Sequence, residues 1–306
     1  TGMVQQGITI GKVKNCSIPI LSVDTQISIE RLVTYSYKKL EDSKRLYKEA
    51  EELLLSELGL LDFVPNIDNI TIKSFSDSFS VSGRLDSEYY QPKYDDILLH
   101  IKQAKHDKLD NLVSLKKSIE PGSEAYQDEG IPFVRVSNLS KFELTAPDIH
   151  LACSLFSVDE LEKLQPKKDT ILLSKDGTVG MAYCMKEDAN FVTSGALLHL
   201  NIRHAKRAEV LPEYLTLILN SKVVQMQAER DAGGSIIQHW KPSEIQEILI
   251  PILSMSIQEQ IETKVIQSFI LKEQSKQFLD LAKRAVEIAI EESEQSAMEL
   301  INNAKI

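Results

Sequence analysis

Cysteine is scarce in this chain. There are three, Cys16, Cys153 and Cys184, odd in number and far apart, with no CxxC pair and no Cys/His cluster. A disulfide framework and a zinc site are therefore not expected, and the thiols read as incidental to a cytoplasmic protein. His106, His150, His199, His204 and His239 keep no metal-ligand spacing, so no metal is expected either. No run of about 18 apolar residues exists to span a membrane. The opening TGMVQQGITI lacks the basic stretch and apolar block of a signal peptide. Catalytic signatures are missing as well. A methyltransferase acting on amino groups needs a cofactor-binding glycine motif and an Asn/Asp-Pro-Pro-aromatic motif, and neither occurs. No glycine-rich phosphate loop ending in Gly-Lys-Ser/Thr is present, which removes support for an ATP-driven motor. Glu160, Glu162 and Lys163 sit together in a surface-helix pattern and read as a solvated face, not a metal-dependent nuclease. The chain is thus expected to be non-catalytic and to carry no cofactor.

What is present is a chain of 306 residues, 42 % hydrophobic and 26 % charged, enough to bury a sizeable core and to make one to three domains. The net charge of −10 argues at first sight against nucleic acid, because phosphate contacts need Lys and Arg. Net charge does not describe a local patch, however, and partners can supply positive field.

An internal repeat organises the sequence. Residues 18–22, IPILS, recur as residues 250–254, an offset of 232 positions. The same ungapped register pairs Gly2 with Gly234, Gln6 with Gln238, Gln26 with Gln258, Ile29 with Ile261, Glu30 with Glu262, Val33 with Val265 and Lys44 with Lys276. In each copy a short apolar segment ends at a proline, Pro19 or Pro251, and a long helical pattern follows. The first pattern runs from about Thr25 to Leu58, with Val33, Leu40, Tyr47 and Leu54 at the seven-residue spacing of a coiled-coil seam. The second runs from about Ile257 to Asn302, with Ile261, Val265, Phe269 and Phe278 among its apolar positions. Such helices would span about 50 and 70 Å. Helices that long need partners along their length, and each is the other's nearest candidate. Between them, residues 61–83 read as a connection rich in Ser and Asp. Strand-like runs follow at 131–136, 170–174, 180–185 and 196–202, with a helical pattern at 95–105 and one apolar helix from Leu211 to Gln227.

Several ordered segments now carry a resemblance. RLDSEYYQPKY (84–94), EGIPFVRVSNLSKFEL (129–144), ILLSKDGTVGMAYC (171–184), LPEYLTLILNS (211–221) and AGGSIIQHWKPSEIQEILIPILSMSIQEQI (232–261) resemble the target recognition domain of type I restriction-modification specificity subunits. The long helices resemble that family's helical spacers. The resemblance implies an α+β chain: one mixed α/β target recognition domain plus two long helices packing as an antiparallel coiled coil. It divides the chain into 1–22, the exit of an upstream recognition domain; 23–60, a first spacer; 61–83, a linker; 84–253, the recognition domain; and 254–306, a second spacer. It implies double-stranded DNA as ligand, each domain reading half of a split site. It also implies that the helices dock methyltransferase subunits and, through them, the restriction subunit. A homodimer of half-subunits would restore two domains and four helices.

Base readout needs polar side chains on projecting loops. Three places offer them. Arg135, Ser137 and Asn138 leave a strand into a polar turn; Arg135 suits guanine and Asn138 adenine, while an internal ion pair and a turn cap fit equally well. Lys175 and Thr178 flank Asp176-Gly177, where phosphate contact and a plain strand connection fit alike. Gln238 and Lys241 follow Gly233-Gly234, beside Ser235 and His239, with Trp240 read as a packing anchor. Lys102, Lys105, Lys108, Lys116 and Lys117 would follow a phosphate backbone or form a solvated face. Two rival readings remain: an acidic helical scaffold without DNA contact, and a detached recognition module of a fused type II restriction-methylation enzyme.

Overall fold

A computed structural model describes residues 9–68, 70–232 and 238–304. Gly2, Gln6, Gly233, Gly234 and Ser235, used in the repeat register or in the third candidate loop, lie outside them. The chain divides into two compact units, Thr1–Arg45 with Gln267–Ile306, and Leu46–Ile266. The two long helices, Val23–Glu57 and Met255–Glu291, contribute to both.

Within the first unit the two helices run antiparallel, and their seam is small and partly polar. Ser36 donates to the Ser275 carbonyl at 2.8 Å, and Ser268 donates to the Ser43 carbonyl at 2.9 Å. The hydroxyls also pair, Ser36 with Ser275 at 3.1 Å and Ser43 with Ser268 at 3.2 Å. The repeat offset maps Ser36 onto Ser268 and Ser43 onto Ser275, so the two contacts are one contact seen from each copy. Leu32, Ala282 and Ala285 fill the seam beside the serines. This corrects the phase expected for the first helix. Val33 and Leu40 are only half-buried, and Leu32 and Ser36 lie in the seam instead. The heptad reading counted only apolar residues and so passed over the serines. Phe269 and Phe278 are likewise half-buried, Phe278 lying 5.9 Å from the Tyr35 ring.

The second helical pattern is also interrupted. Ser293 takes an extended backbone and its side chain accepts from Ser296, so a separate helix, Glu294–Asn303, starts there. Glu294 reaches the start of the first long helix, accepting from the Ser22 amide at 3.0 Å and the Thr25 hydroxyl at 2.6 Å. These donors hold its carboxyl below the usual carboxylate range.

In the second unit Tyr47, Leu54, Ile261 and Val265 are buried, and Lys264 pairs with Glu49 at 2.6 Å. A four-stranded antiparallel sheet forms the centre, in the order Val113–Lys117, Leu197–Ile202, Ile171–Ser174 and Ala182–Cys184. Its inner strands do not alternate between apolar and polar faces: Ile171, Leu172 and Leu173 are all fully buried, as are Leu197, Leu198 and Leu200, which marks a sheet covered on both faces. A second sheet runs Tyr126–Gln127, His150–Leu151, Ile131–Val134 and Val192–Thr193, its last pair parallel. The apolar helix expected over 211–227 is two helices, Pro212–Asn220 and Lys222–Asp231, because Ser221 turns extended and caps the second.

The corrected seam is testable. Leu32→Ala should lower unfolding stability by about 2–3 kcal/mol, and Val33→Ala by less than half as much. Urea unfolding followed by far-ultraviolet circular dichroism separates the two.

Candidate nucleic-acid interface

The first candidate loop begins where the strand Ile131–Val134 ends. The Arg135 amide donates to the Asn138 side-chain oxygen at 3.0 Å, and the Asn138 amide donates to the Arg135 carbonyl at 2.9 Å. The Asn138 carbonyl then accepts from the Thr145 amide at 2.9 Å. Asn138 is buried, so its amide builds the turn and does not face outward; the turn-cap alternative holds for this residue. Arg135 pairs with Asp148 at 3.1 Å while remaining about one-third exposed (34 %). Its Nε is buried with no hydrogen-bond partner among the described residues. Ser137 is exposed at the tip.

The second and third candidate loops are one structure. Asp176–Gly177 pairs antiparallel with Gln238–His239, and the Trp240 amide donates to the Lys175 carbonyl at 2.8 Å. This two-stranded ribbon carries Lys175, Thr178, Gln238 and Lys241 together. Its bend depends on glycine: Gly177 and Gly180 have φ of +74° and +82°, a region costly for other residues. The Ser174 hydroxyl receives the Met181 amide at 2.9 Å and donates to the Thr178 carbonyl. Trp240, 1 % exposed, anchors the ribbon in the core, as its reading as a packing residue requires. His239 and Asp176 join across the ribbon, Nδ1 to Oδ1 at 2.8 Å, and the Lys175 ammonium meets the other Asp176 oxygen. Nothing in the spacing marks this contact, since its partners lie 63 positions apart. Lys241 pairs with Glu244 at 3.2 Å and remains exposed. Glu244 also caps the short helix Pro242–Glu247 by accepting from the Lys241 amide at 3.1 Å.

A short connector links the ribbon to the first loop. The Ser194 amide donates to the Val134 carbonyl, and the Ala196 carbonyl accepts from the Lys175 amide, each at 2.9 Å. The segments that lead into Arg135 and Lys175 are thus bonded to connector residues two positions apart. His199 is buried and bonded to the Thr193 hydroxyl at 2.8 Å. Burial, with the nearby Lys116 charge, pushes the His199 pKa down to about 4.

The basic helix and its exit are largely engaged with protein. Lys105 pairs with Glu209 at 3.4 Å, Lys108 pairs with Glu247 at 2.6 Å, and Lys116 bonds the Lys163 carbonyl. This favours the solvated-face reading for those three. Glu160 accepts from the Ser157 amide and hydroxyl as a helix cap. Among the described residues no group of acidic, His or Cys side chains is arranged to hold a metal, and no helix is long and apolar enough to cross a membrane.

Residues 102–277, more than half of the chain, match the family model for the type I restriction modification DNA specificity domain. The chain belongs to that family. The specificity domain is similar in structure to the S subunit of a type I restriction-modification system from M. genitalium, at 15 % identity and TM-score 0.44, covering 98 % of this chain and 67 % of that one. It is similar to the HsdS subunit from Thermoanaerobacter tengcongensis, at 14 % identity and TM-score 0.40, covering 99 % of this chain and 63 % of that one. A structure described as the basis of complex assembly and conformational transition of the type I R-M system matches at 14 % identity and TM-score 0.41, over 98 % of this chain and 64 % of that one. The specificity domain therefore spans less than two thirds of the length of these last two chains. No curated protein matches it.

Burial of His199 makes the stability of the domain depend on pH. A folded pKa near 4 against an ordinary 6.5 means that the unfolded chain binds the extra proton first. His199 therefore contributes stability that is complete above about pH 6.5 and lost as pH falls toward 4, on the order of 3 kcal/mol. Urea midpoints should drop between neutral pH and about pH 5, and His199→Asn should flatten that drop.

Proposed function

We propose that this specificity domain reads one half of a bipartite DNA target within a type I restriction-modification complex, and that methyl transfer and cleavage belong to partner subunits. The observation that supports this reading is that the loop with Arg135 and Ser137 and the ribbon with Lys175, Thr178, Gln238 and Lys241 are both bonded to one connector, at Ser194 and Ala196. A two-stranded ribbon fits the major groove. Phosphate contacts from Lys241 and Arg135 would position the domain, and the ribbon and Ser137 would read bases. The long helices, 23–60 and 254–306, would be the spacers that dock methyltransferase subunits and bring in the restriction subunit, with 84–253 as the recognition domain and 61–83 as its linker.

The repeat supports a second recognition domain as a further partner. In the second copy Gln258 is fully buried, accepting from the Leu211 amide at 3.0 Å and donating to the carbonyls of Glu209 at 2.8 Å and Leu253 at 2.9 Å. Gln26, its counterpart, makes the equivalent bond to the Leu21 carbonyl at 2.7 Å but is exposed. Ile250 and Ile252 are buried at 0 % and 8 %, whereas their counterparts Ile18 and Ile20 are 81 % and 90 % exposed. The helices Ile10–Lys14 and Pro242–Glu247 also start in the same repeat register. Residues 9–22 thus fit the exit segment of another recognition domain, which would cover Ile18 and Ile20 from a longer chain or a second copy.

A second reading is favoured by one observation: Arg135, Lys175 and Lys241 each pair with an acidic residue. That would suit an acidic assembly scaffold without DNA contact. Methylation of duplex DNA by the complex with its methyltransferase subunits decides between them. Under the DNA-reading proposal, Arg135→Ala and Lys241→Ala weaken binding, and each lowers the salt-dependence slope by about 1; under the scaffold reading both are silent. Separately, Gln258→Ala should destabilise the chain by about 1–3 kcal/mol. Gln26→Ala should leave its unfolding unchanged but weaken association with a second recognition domain, measured by sedimentation.

A further inference from the structure

Asp176 holds two basic groups at once, and the consequence for His239 deepens the DNA-reading proposal on which it rests. The Asp176 carboxylate is mostly covered, at 23 % exposed, while the His239 ring that it binds is 63 % exposed. An ionised carboxylate can only accept, so whenever the imidazole is neutral its single proton lies on Nδ1. The outer nitrogen, Nε2, then carries a lone pair, and it has no hydrogen-bond partner among the described residues. Lys175 satisfies the second Asp176 oxygen. The ring is held by its bond to Asp176, and its backbone is fixed by the pairing with Asp176 and by the buried Trp240 that follows it. A side chain so restrained loses little further freedom on binding. Gln238 beside it has no such restraint, and Lys241 is a charge suited to phosphate.

We propose that His239 is a specificity-determining residue whose Nε2 accepts a hydrogen bond from the exocyclic amino group of a base. In the major groove that group is N6 of adenine or N4 of cytosine, and both offer the same donor. Asp176 is the positioning residue, because its carboxylate selects the tautomer. Replacing it by an amide reverses the chemistry: an asparagine side chain can donate to Nδ1, which moves the imidazole proton to Nε2 and turns the acceptor into a donor.

The test uses the complex with its own methyltransferase subunits, acting on a library of duplexes with randomised positions whose methylated members are sequenced. His239→Ala is expected to lower discrimination at one position of the half-site by about tenfold and to leave the others intact. Asp176→Asn is expected to shift that same position toward guanine or thymine, whose groove edges accept. Duplexes with purine in place of adenine, or pyrimidin-2-one in place of cytosine, then identify the base: the wild-type complex loses methylation on the relevant one, and His239→Ala does not. An unchanged site in His239→Ala overturns the assignment. So does a uniform loss across all positions with a smaller salt slope, which marks a phosphate contact. A wild-type complex that methylates without sequence preference overturns the DNA-reading proposal itself, whereas a specific wild-type site that His239→Ala keeps overturns only the role of His239.

Discussion

The ribbon depends on one backbone hydrogen bond and the side chain next to it. The Trp240 amide donates to the Lys175 carbonyl, and the Trp240 indole, the largest fully buried side chain among the described residues, fixes that strand in the core. Without this pairing, the Asp176–Gly177 and Gln238–His239 segments would be unrelated surface loops. Two residues a side cannot make a stable ribbon alone. The core therefore supplies the order, and the exposed residues of the ribbon inherit it.

The helix pair obeys a different constraint. Its seam carries two buried serine contacts that are images of each other under the repeat. A polar pair in such a seam sacrifices apolar burial but is satisfied in one alignment, so it specifies register more than it adds stability. The same duplication places Gln26 and Gln258 on matching leucine carbonyls. A duplicated helix thus carries a duplicated seat, in which only the Gln258 copy is covered, by the segment holding Glu209 and Leu211.

Charge explains how an acidic chain can be compatible with DNA. Arg135, Lys175 and Lys241 each have an acidic partner, and partly exposed ion pairs contribute little in water. Exchanging Asp148 or Glu244 for a phosphate therefore costs little. The net charge of −10 is no measure of this local chemistry, while the pairing suppresses indiscriminate attraction to polyanions.

Residue order alone was enough for the features that depend on periodicity and repetition. The two long helices, the central strands and the 232-residue offset are visible in the pattern, because burial on a helix or strand face imposes a period. The buried Trp240 was legible too, as an apolar anchor. Polar seam residues were not: Ser36, Ser43, Ser268 and Ser275 look like solvated positions until a facing helix supplies acceptors. Nor was the role of Asn138, whose amide serves either a base or its own turn depending on the path of a few residues. The hanging of the Arg135 and Lys175 segments from one connector, and the bond of His239 to Asp176, were decided only by the tertiary structure. These arise from contacts between segments remote in sequence, and no local period records them.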